Sequence, residues 1–129
     1  MLEAGIRGKD SVKVTHENTA AVVGSGLLEV FATPMMIALM EKTACESVAP
    51  YLEEGSGTVG TELEIRHTAA TPVGMTVTCE TELVEVDGRR LVFDVKAYDE
   101  SGPVGEGRHE RFIINNEKFL KKANAKKNK

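Results

Sequence analysis

Three side chains of this sequence could form an acid–base or nucleophilic site: Thr33, Glu41 and His67. A hydroxyl, an imidazole and a carboxylate are the groups that serve as nucleophile, base and orienting residue in covalent catalysis. The same groups could instead position a water molecule and remove its proton. Their spacing matches no general catalytic motif, so the residues alone indicate an acid–base site and leave its reaction open.

Glu41 is the most informative of the three because of the segment around it. Residues 34–49 have the apolar periodicity of a helix, and at about 100° per residue the face of Glu41 carries apolar or small side chains: Pro34, Ile37, Ala38, Ala44, Cys45 and Val48. The exposed stripe is predicted elsewhere, on Lys42, Thr43, Glu46 and Ser47. A carboxylate directed at a core is costly without a partner or a function. The alternative is a structural ion pair or a position at the edge of a groove.

Thr33 and His67 are placed by the elements predicted around them. Thr33 precedes Pro34, which is typical of an N-cap followed by proline at the first helical position. Its hydroxyl would then lie beside free backbone N–H groups at the positive end of the helix dipole. His67 falls on the core side of a predicted strand, residues 58–69, whose charged face is solvent. A simple helix cap and a structural histidine are the alternatives for these two residues.

The predicted elements form one α+β domain. A short strand at 11–16 and a loop at 17–29 precede the helix, and strands follow at 58–69, 75–86, 91–98 and 104–115. The later strands are predicted to pair in sequence as an antiparallel meander. A single apolar helix needs a sheet curled around it, which is the layout of a hotdog fold with about five strands and one long central helix. Unpaired edge strands predict dimerisation.

Composition limits the classes of protein that fit. The 129 residues predict a single domain, 1–129, with a core at about 10–119 and a basic, frayed tail at 120–129. A net charge of −4 argues against a nucleic-acid partner. Cys45 and Cys79 lack metal-ligand spacing and are expected to be free thiols. With neither a signal peptide nor a transmembrane segment in the sequence, we expect a cytoplasmic protein with no membrane partner.

Several segments together resemble one family. Residues 30–41, with Thr33 and Glu41, look like the central-helix region of fluoroacetyl-CoA thioesterase and its relatives. The segments 49–53, 60–61, 67–72, 86–91 and 107–111 are similar as well. The resemblance covers roughly residues 12–119 and needs no gap between Thr33 and His67.

The resemblance implies a function and a set of site residues. It implies a hotdog homodimer, with a dimer of dimers as a further option, that hydrolyses a short acyl-CoA thioester at the subunit interface without a metal or other cofactor. Thr33, Glu41 and His67 correspond to the catalytic set, and Gly60 is expected near the bound acyl group. His67 would act as base on Thr33 or on water, and Glu41 would orient the imidazole or attack directly. The CoA phosphates would need some of five arginines: Arg66, Arg89, Arg90, Arg108 and Arg111.

Two departures from the family and two other functions also follow from the sequence. The segment 17–29 looks shorter than the family's aromatic-rich lid and has no aromatic residue, which argues against a preference for fluorinated acyl groups. Pro34 removes a backbone N–H that an oxyanion contact could use. The main alternative function is a non-catalytic acyl-CoA-binding module, a sensor or a scaffold. An acyl-CoA hydratase is a further alternative, although the Asp/His pair usual in that class is not found on another segment.

Overall fold

The chain folds into one antiparallel sheet that curls around a long helix. The computed structural model describes residues 1–128. The elements are β1 (Arg7–Lys13), α1 (Ala20–Val23), α2 (Thr33–Val48), β2 (Ser56–His67), β3 (Thr76–Asp87), β4 (Arg90–Asp99), β5 (Gly102–Asn115) and α3 (Asn116–Asn124). Short 3-10 turns cover 16–18, 49–51 and 125–128. The prediction of an α+β fold with about five strands around one central helix is confirmed.

The strand order differs from the predicted meander. The sheet has the order β1-β3-β4-β5-β2, so only β3, β4 and β5 pair in sequence. Strand β2 pairs with β5, with Leu63 opposite His109, and forms one edge of the sheet. Tight turns fix the β3–β4 and β4–β5 pairs, whereas residues 68–75 separate β2 from β3 and let β2 reach the far edge.

Helix α2 buries a different face from the one its sequence predicted. The buried residues are Met36, Leu39, Met40, Thr43, Ala44 and Val48. Thr43 was predicted to be exposed, but its hydroxyl donates to the Leu39 carbonyl at 2.7 Å, which satisfies it inside the core. The sheet covers one side of α2, and the opposite side leaves Pro34 and Ala38 exposed and Glu41 partly exposed. An uncovered helix face with small apolar residues is therefore a feature of the single chain.

Residues 17–29 have more structure than the predicted loop, and we call this segment the lid. It contains α1 and is closed by backbone hydrogen bonds from Ala20 to Val30 and from Ala21 to Leu28. At its ends His16 Nδ1 lies 2.6 Å from Glu29 Oε1, and this contact raises the pKa of His16 above its usual value. The lid is thus an ordered flap that carries exposed apolar side chains: Val22, Val23, Leu27 and Leu28.

The basic tail is helical where a frayed end was predicted. Helix α3 begins after Asn115, whose side chain accepts a hydrogen bond from the Lys118 amide, and its residues are exposed. Side-chain capping explains why this polar segment is ordered. Lys129, the last residue of the predicted tail, lies outside the described residues.

Three further observations concern the described part of the chain. Within residues 1–128, no helix combines the length and apolar character needed to cross a bilayer. The same residues contain no cluster of three or more His, Cys, Asp or Glu side chains that could hold a metal ion. Cys45 is half-buried and Cys79 is buried, both are free, and burial raises the pKa of Cys79 to about 11.

Candidate functional site

Thr33 and His67 lie in direct contact. Thr33 Oγ1 is 2.6 Å from His67 Nδ1, although the residues lie on α2 and at the end of β2. Ala32 is the N-cap of α2, so Thr33 is the first helical residue, and the interpretation as a simple cap is wrong. Its hydroxyl is held by the imidazole instead of a backbone amide. A hydroxyl against an imidazole nitrogen is the arrangement that general-base activation requires.

The imidazole of His67 has the properties of a base. Burial lowers its pKa below the usual histidine value, and the nearby backbone of Ala69 partly offsets that effect. The ring is therefore neutral at neutral pH and can accept a proton. Its Nε2 atom is buried and has no hydrogen-bond partner among residues 1–128. A buried nitrogen without a hydrogen-bond partner needs an explanation, and a partner that does not belong to the single chain would provide one.

The N-terminus of α2 also offers a donor for a developing negative charge. Pro34 has no N–H, and the amides of Met35 and Met36 donate to the Ala32 carbonyl at 3.0 Å. The amide of Thr33 has no acceptor among the described residues. Proline at this position thus costs the helix no hydrogen bond and leaves one amide beside the Thr33 hydroxyl.

Glu41 does not join Thr33 and His67 within one chain. Glu41 follows Thr33 by eight positions on α2, which is about 12 Å along the helix axis. Its side chain is 39 % exposed, and Oε2 lies 3.6 Å from Arg111 Nη1. Glu41 is therefore at the edge of a groove with a charged partner, and the prediction of an unpaired carboxylate facing the core is wrong.

A buried pair on β5 was missed as part of the site. His109 is 1 % exposed and Arg111 is 6 % exposed, and both point toward Glu41 from the inner face of the sheet. The alternation of β5 contained this signal, since Glu106, Arg108 and Glu110 occupy the other face. Arg111 is thus occupied inside the protein and is unsuited to a CoA phosphate, contrary to one option from the sequence.

Gly60 lies on β2 directly beside Glu41 of α2. A methyl group on its Cα would be 2.5 Å from Glu41 Oε2 and 3.2 Å from His109 Cε1. Glycine is therefore the residue that leaves room for the Glu41 carboxylate. The predicted contact between Gly60 and an acyl group stays a prediction.

An open groove of about 300 Å³ adjoins the Thr33–His67 pair. One wall is formed by Ala20 and Ser25 of the lid together with Val30, and the other by Ala69 and Ala70 after β2. Most of the lining side chains are small, and polar groups of Ser25 and Thr68 accompany the Thr33 hydroxyl and the His67 imidazole. Such a groove suits a small apolar group attached to a polar reacting centre.

The chain is similar to proteins of one family over most of its length. A family model described as fluoroacetyl-CoA-specific thioesterase matches residues 14–117. The fluoroacetyl-CoA thioesterase of Streptantibioticus cattleyicolor is 50% identical over 98 residues, which are 76% of this chain and 70% of that protein.

Solved structures agree with this result. A variant of a fluoroacetyl-CoA-specific thioesterase, crystallised with fluoroacetate and CoA, is 41% identical with a TM-score of 0.87 and covers 92% of this chain and 99% of its own. A hypothetical protein of Thermus thermophilus, a thioesterase superfamily member, is 30% identical with a TM-score of 0.90 and covers 99% of this chain and 95% of its own. The resemblance and the hotdog fold inferred from the sequence are confirmed.

Proposed function

The chain belongs to the fluoroacetyl-CoA-specific thioesterase family, and from this premise we propose that it hydrolyses a small acyl-CoA to the free acid and CoA. It is a thioester hydrolase, and the proposal adds which residues act. The contact of 2.6 Å between Thr33 Oγ1 and His67 Nδ1 carries the assignment, because it joins an acceptor for a proton to a hydroxyl beside a groove. Most side chains that line the groove are small, which supports a short acyl group.

The reaction uses His67 as general base. In one route His67 takes the Thr33 proton, Oγ1 attacks the thioester carbonyl, CoA leaves as the protonated thiol, and water then releases the acid from the acyl-threonine. In the other route Thr33 positions a water molecule, and His67 takes the proton of that water as it attacks. In both routes the free amide of Thr33 can donate to the carbonyl oxygen as it becomes negative.

We propose that Glu41 acts from a second copy of the chain. Strand β2 is an open edge, and antiparallel pairing of two β2 strands about Leu63 and Glu64 would bring His67 opposite Gly60 of the partner subunit. Glu41 lies against Gly60, so the carboxylate would then approach the Thr33–His67 pair. The uncovered face of α2 supports the same homodimer, since a partner helix could cover its small residues. That two such dimers pair into a tetramer is a separate proposal, which a measurement of the molecular mass in solution tests.

The residues proposed to bind the CoA phosphates are selected by their charge and by whether that charge is already paired. Arg90 pairs with Glu85 and Glu110, Arg108 pairs with Asp94, and Arg111 is buried. Arg66 and Arg89 are exposed and have no carboxylate partner among residues 1–128, so we propose these two for the phosphates. A CoA substrate is consistent with a cytoplasmic enzyme that needs no membrane, nucleic acid or bound cofactor.

A thiol-release assay over a panel of acyl-CoAs tests the function. The panel runs from acetyl and fluoroacetyl to medium-chain and aryl groups, and the wild type is compared with His67→Ala. Turnover on short acyl-CoAs that falls by about 100-fold or more in the variant, with secondary structure and oligomeric size unchanged, is the expected result. Near wild-type turnover by a folded His67→Ala protein would contradict the assignment of His67 as the general base.

The same panel separates the enzyme from a binding module. If the folded wild-type protein releases no thiol from any acyl-CoA, calorimetric titration shows whether it binds acyl-CoA without turnover. That outcome would replace hydrolysis with sensing or scaffolding as the function.

A further inference from the structure

The buried imidazole of His109 has both nitrogens engaged. Nε2 is 3.1 Å from Arg111 Nη1, and Nδ1 is 2.9 Å from the Glu62 carbonyl. A guanidinium nitrogen only donates, so Nε2 accepts and Nδ1 must carry the proton that it donates to Glu62. His109 is therefore held neutral and in one tautomer. Burial and the Arg111 charge both lower its pKa, which favours the same form.

The guanidinium of Arg111 is held on three sides. Nε donates to Thr58 Oγ1 at 2.7 Å, and Nη2 donates to the Thr58 carbonyl at 2.9 Å. Nη1 is shared between His109 and Glu41 Oε2, at 3.1 and 3.6 Å. A planar group fixed at these contacts has little freedom to rotate. The position of Nη1, and with it the charge facing Glu41, is thus set by Thr58 on β2 and His109 on β5.

We propose that His109 is a positioning residue that fixes the Arg111 guanidinium so that it holds the Glu41 carboxylate in the orientation needed for hydrolysis. The inference rests on the proposed role of Glu41 in the reaction. Glu41 is a long, partly exposed side chain, and Arg111 is its one cationic partner among the described residues. Without a fixed guanidinium the carboxylate would sample several orientations, and small misplacements of a reacting group cost rate.

The two hydrogen bonds of His109 can be removed separately. In His109→Gln the amide oxygen can reach the position of Nε2 and accept from Arg111. In His109→Asn the shorter amide can donate to the Glu62 carbonyl but does not reach Arg111. In His109→Leu both bonds are lost and the volume is nearly kept. Glu106→Gln, on the outward face of the same strand, is the matched control.

The order of activities tests the proposal. We expect kcat for acyl-CoA hydrolysis to fall roughly 10-fold to 100-fold in His109→Asn and His109→Leu, with KM within about 2-fold, because the carboxylate acts on the reaction and not on CoA binding. His109→Gln should keep kcat within about 3-fold of the wild type. If Asn and Gln variants lose the same activity, or if KM alone changes, the proposal is overturned.

A double-mutant cycle with Glu41→Gln separates positioning from a merely structural role. If His109 acts through Glu41, then His109→Leu should slow Glu41→Gln by no more than about 2-fold. A full second loss in the double variant would mean that His109 acts on the fold, and would overturn the proposal. Circular dichroism and the melting temperature are recorded for each variant. If His109→Leu unfolds, His109→Asn replaces it in the cycle, and additive losses would again overturn the proposal.

Failure of the inference differs from failure of the proposed function. If Glu41→Gln is inactive while His109→Asn and His109→Leu turn over like the wild type, only the positioning role is lost. If Glu41→Gln itself is as active as the wild type, the role of Glu41 is removed, and the inference falls with it.

Discussion

The Thr33 hydroxyl decides between the two chemical routes at the residue scale. Thr33→Ser keeps an oxygen 2.6 Å from His67 Nδ1, whereas Thr33→Val keeps the shape and loses the oxygen. We expect kcat to stay within about 10-fold in the serine variant and to fall about 100-fold or more in the valine variant if threonine is the nucleophile. Steady-state kinetics measures both. A valine variant within 10-fold of the wild type would instead indicate attack by water, with the Thr33 hydroxyl contributing only to the position of that water.

The pH dependence belongs to His67 at the same scale. Burial lowers its pKa, so the neutral base persists to lower pH than an ordinary histidine allows. We expect kcat/KM to be constant at neutral and alkaline pH and to fall on acidification, with a midpoint below the usual histidine pKa. A pH–rate profile with a non-ionising acyl group measures this. A midpoint above that value would show that His67 gains its proton more readily than its burial indicates.

At the scale of elements, the lid is predicted to choose the acyl group. Leu27 and Leu28 are 94 % and 71 % exposed, and they lie in the chain between Ser25 and Val30, which line the groove. Leu27→Ser and Leu28→Ser should lower kcat/KM for butyryl-CoA about 10-fold relative to acetyl-CoA, because each variant loses an apolar contact with the longer acyl group. Their melting temperatures should hardly change. Val86→Ser, an exposed residue on β3, is the control, and an unchanged butyryl-to-acetyl ratio in the lid variants would exclude the lid from specificity.

The contact between β2 and α2 gives a second prediction for the elements. In Gly60→Ala the added methyl would lie 2.5 Å from Glu41 Oε2, and the flexible carboxylate would have to move. We expect kcat to fall roughly 10-fold or more with little change in the melting temperature. Gly57→Ala on the same strand is the matched control, because its methyl would meet the Asn116 side chain at 2.7 Å and not Glu41. Equal activities of the two variants would contradict the role of this contact.

For the whole molecule, the central prediction is a site shared by two chains. His67→Ala and Glu41→Gln, each with strongly reduced activity alone, are mixed and then refolded together so that subunits pair at random. About one quarter of wild-type activity should return, because about half of the dimers are hybrids and each hybrid has one intact site. Thiol release on the mixture measures this. No recovery in a mixture that contains hybrid dimers would mean that each site is formed within a single chain.

Local patterns were sufficient to predict most elements of this fold. The apolar period of 34–49 predicted α2, and the alternation of β3, β4 and β5 with the turn at Gly88 predicted their pairing. The face of α2 that is buried was predicted wrongly, since Thr43 satisfies its hydroxyl inside the helix and a periodic pattern does not contain that bond. The lid was predicted as a loop because its closing backbone hydrogen bonds do not follow the residue spacing of a helix or a strand.

The amino-acid order alone was enough to identify the residue types available for chemistry, the helix that carries Thr33 and Glu41, and the family. These depend on local periodicity and on runs of residues that the chain order contains. Three features became evident only from the folded chain: β2 crosses to the edge beside β5, Thr33 contacts His67, and Glu41 lies apart from them against Arg111. Those facts depend on which distant strands pair and which faces they cover. Contacts of that kind form between segments far apart in the chain, where no local pattern specifies the partner.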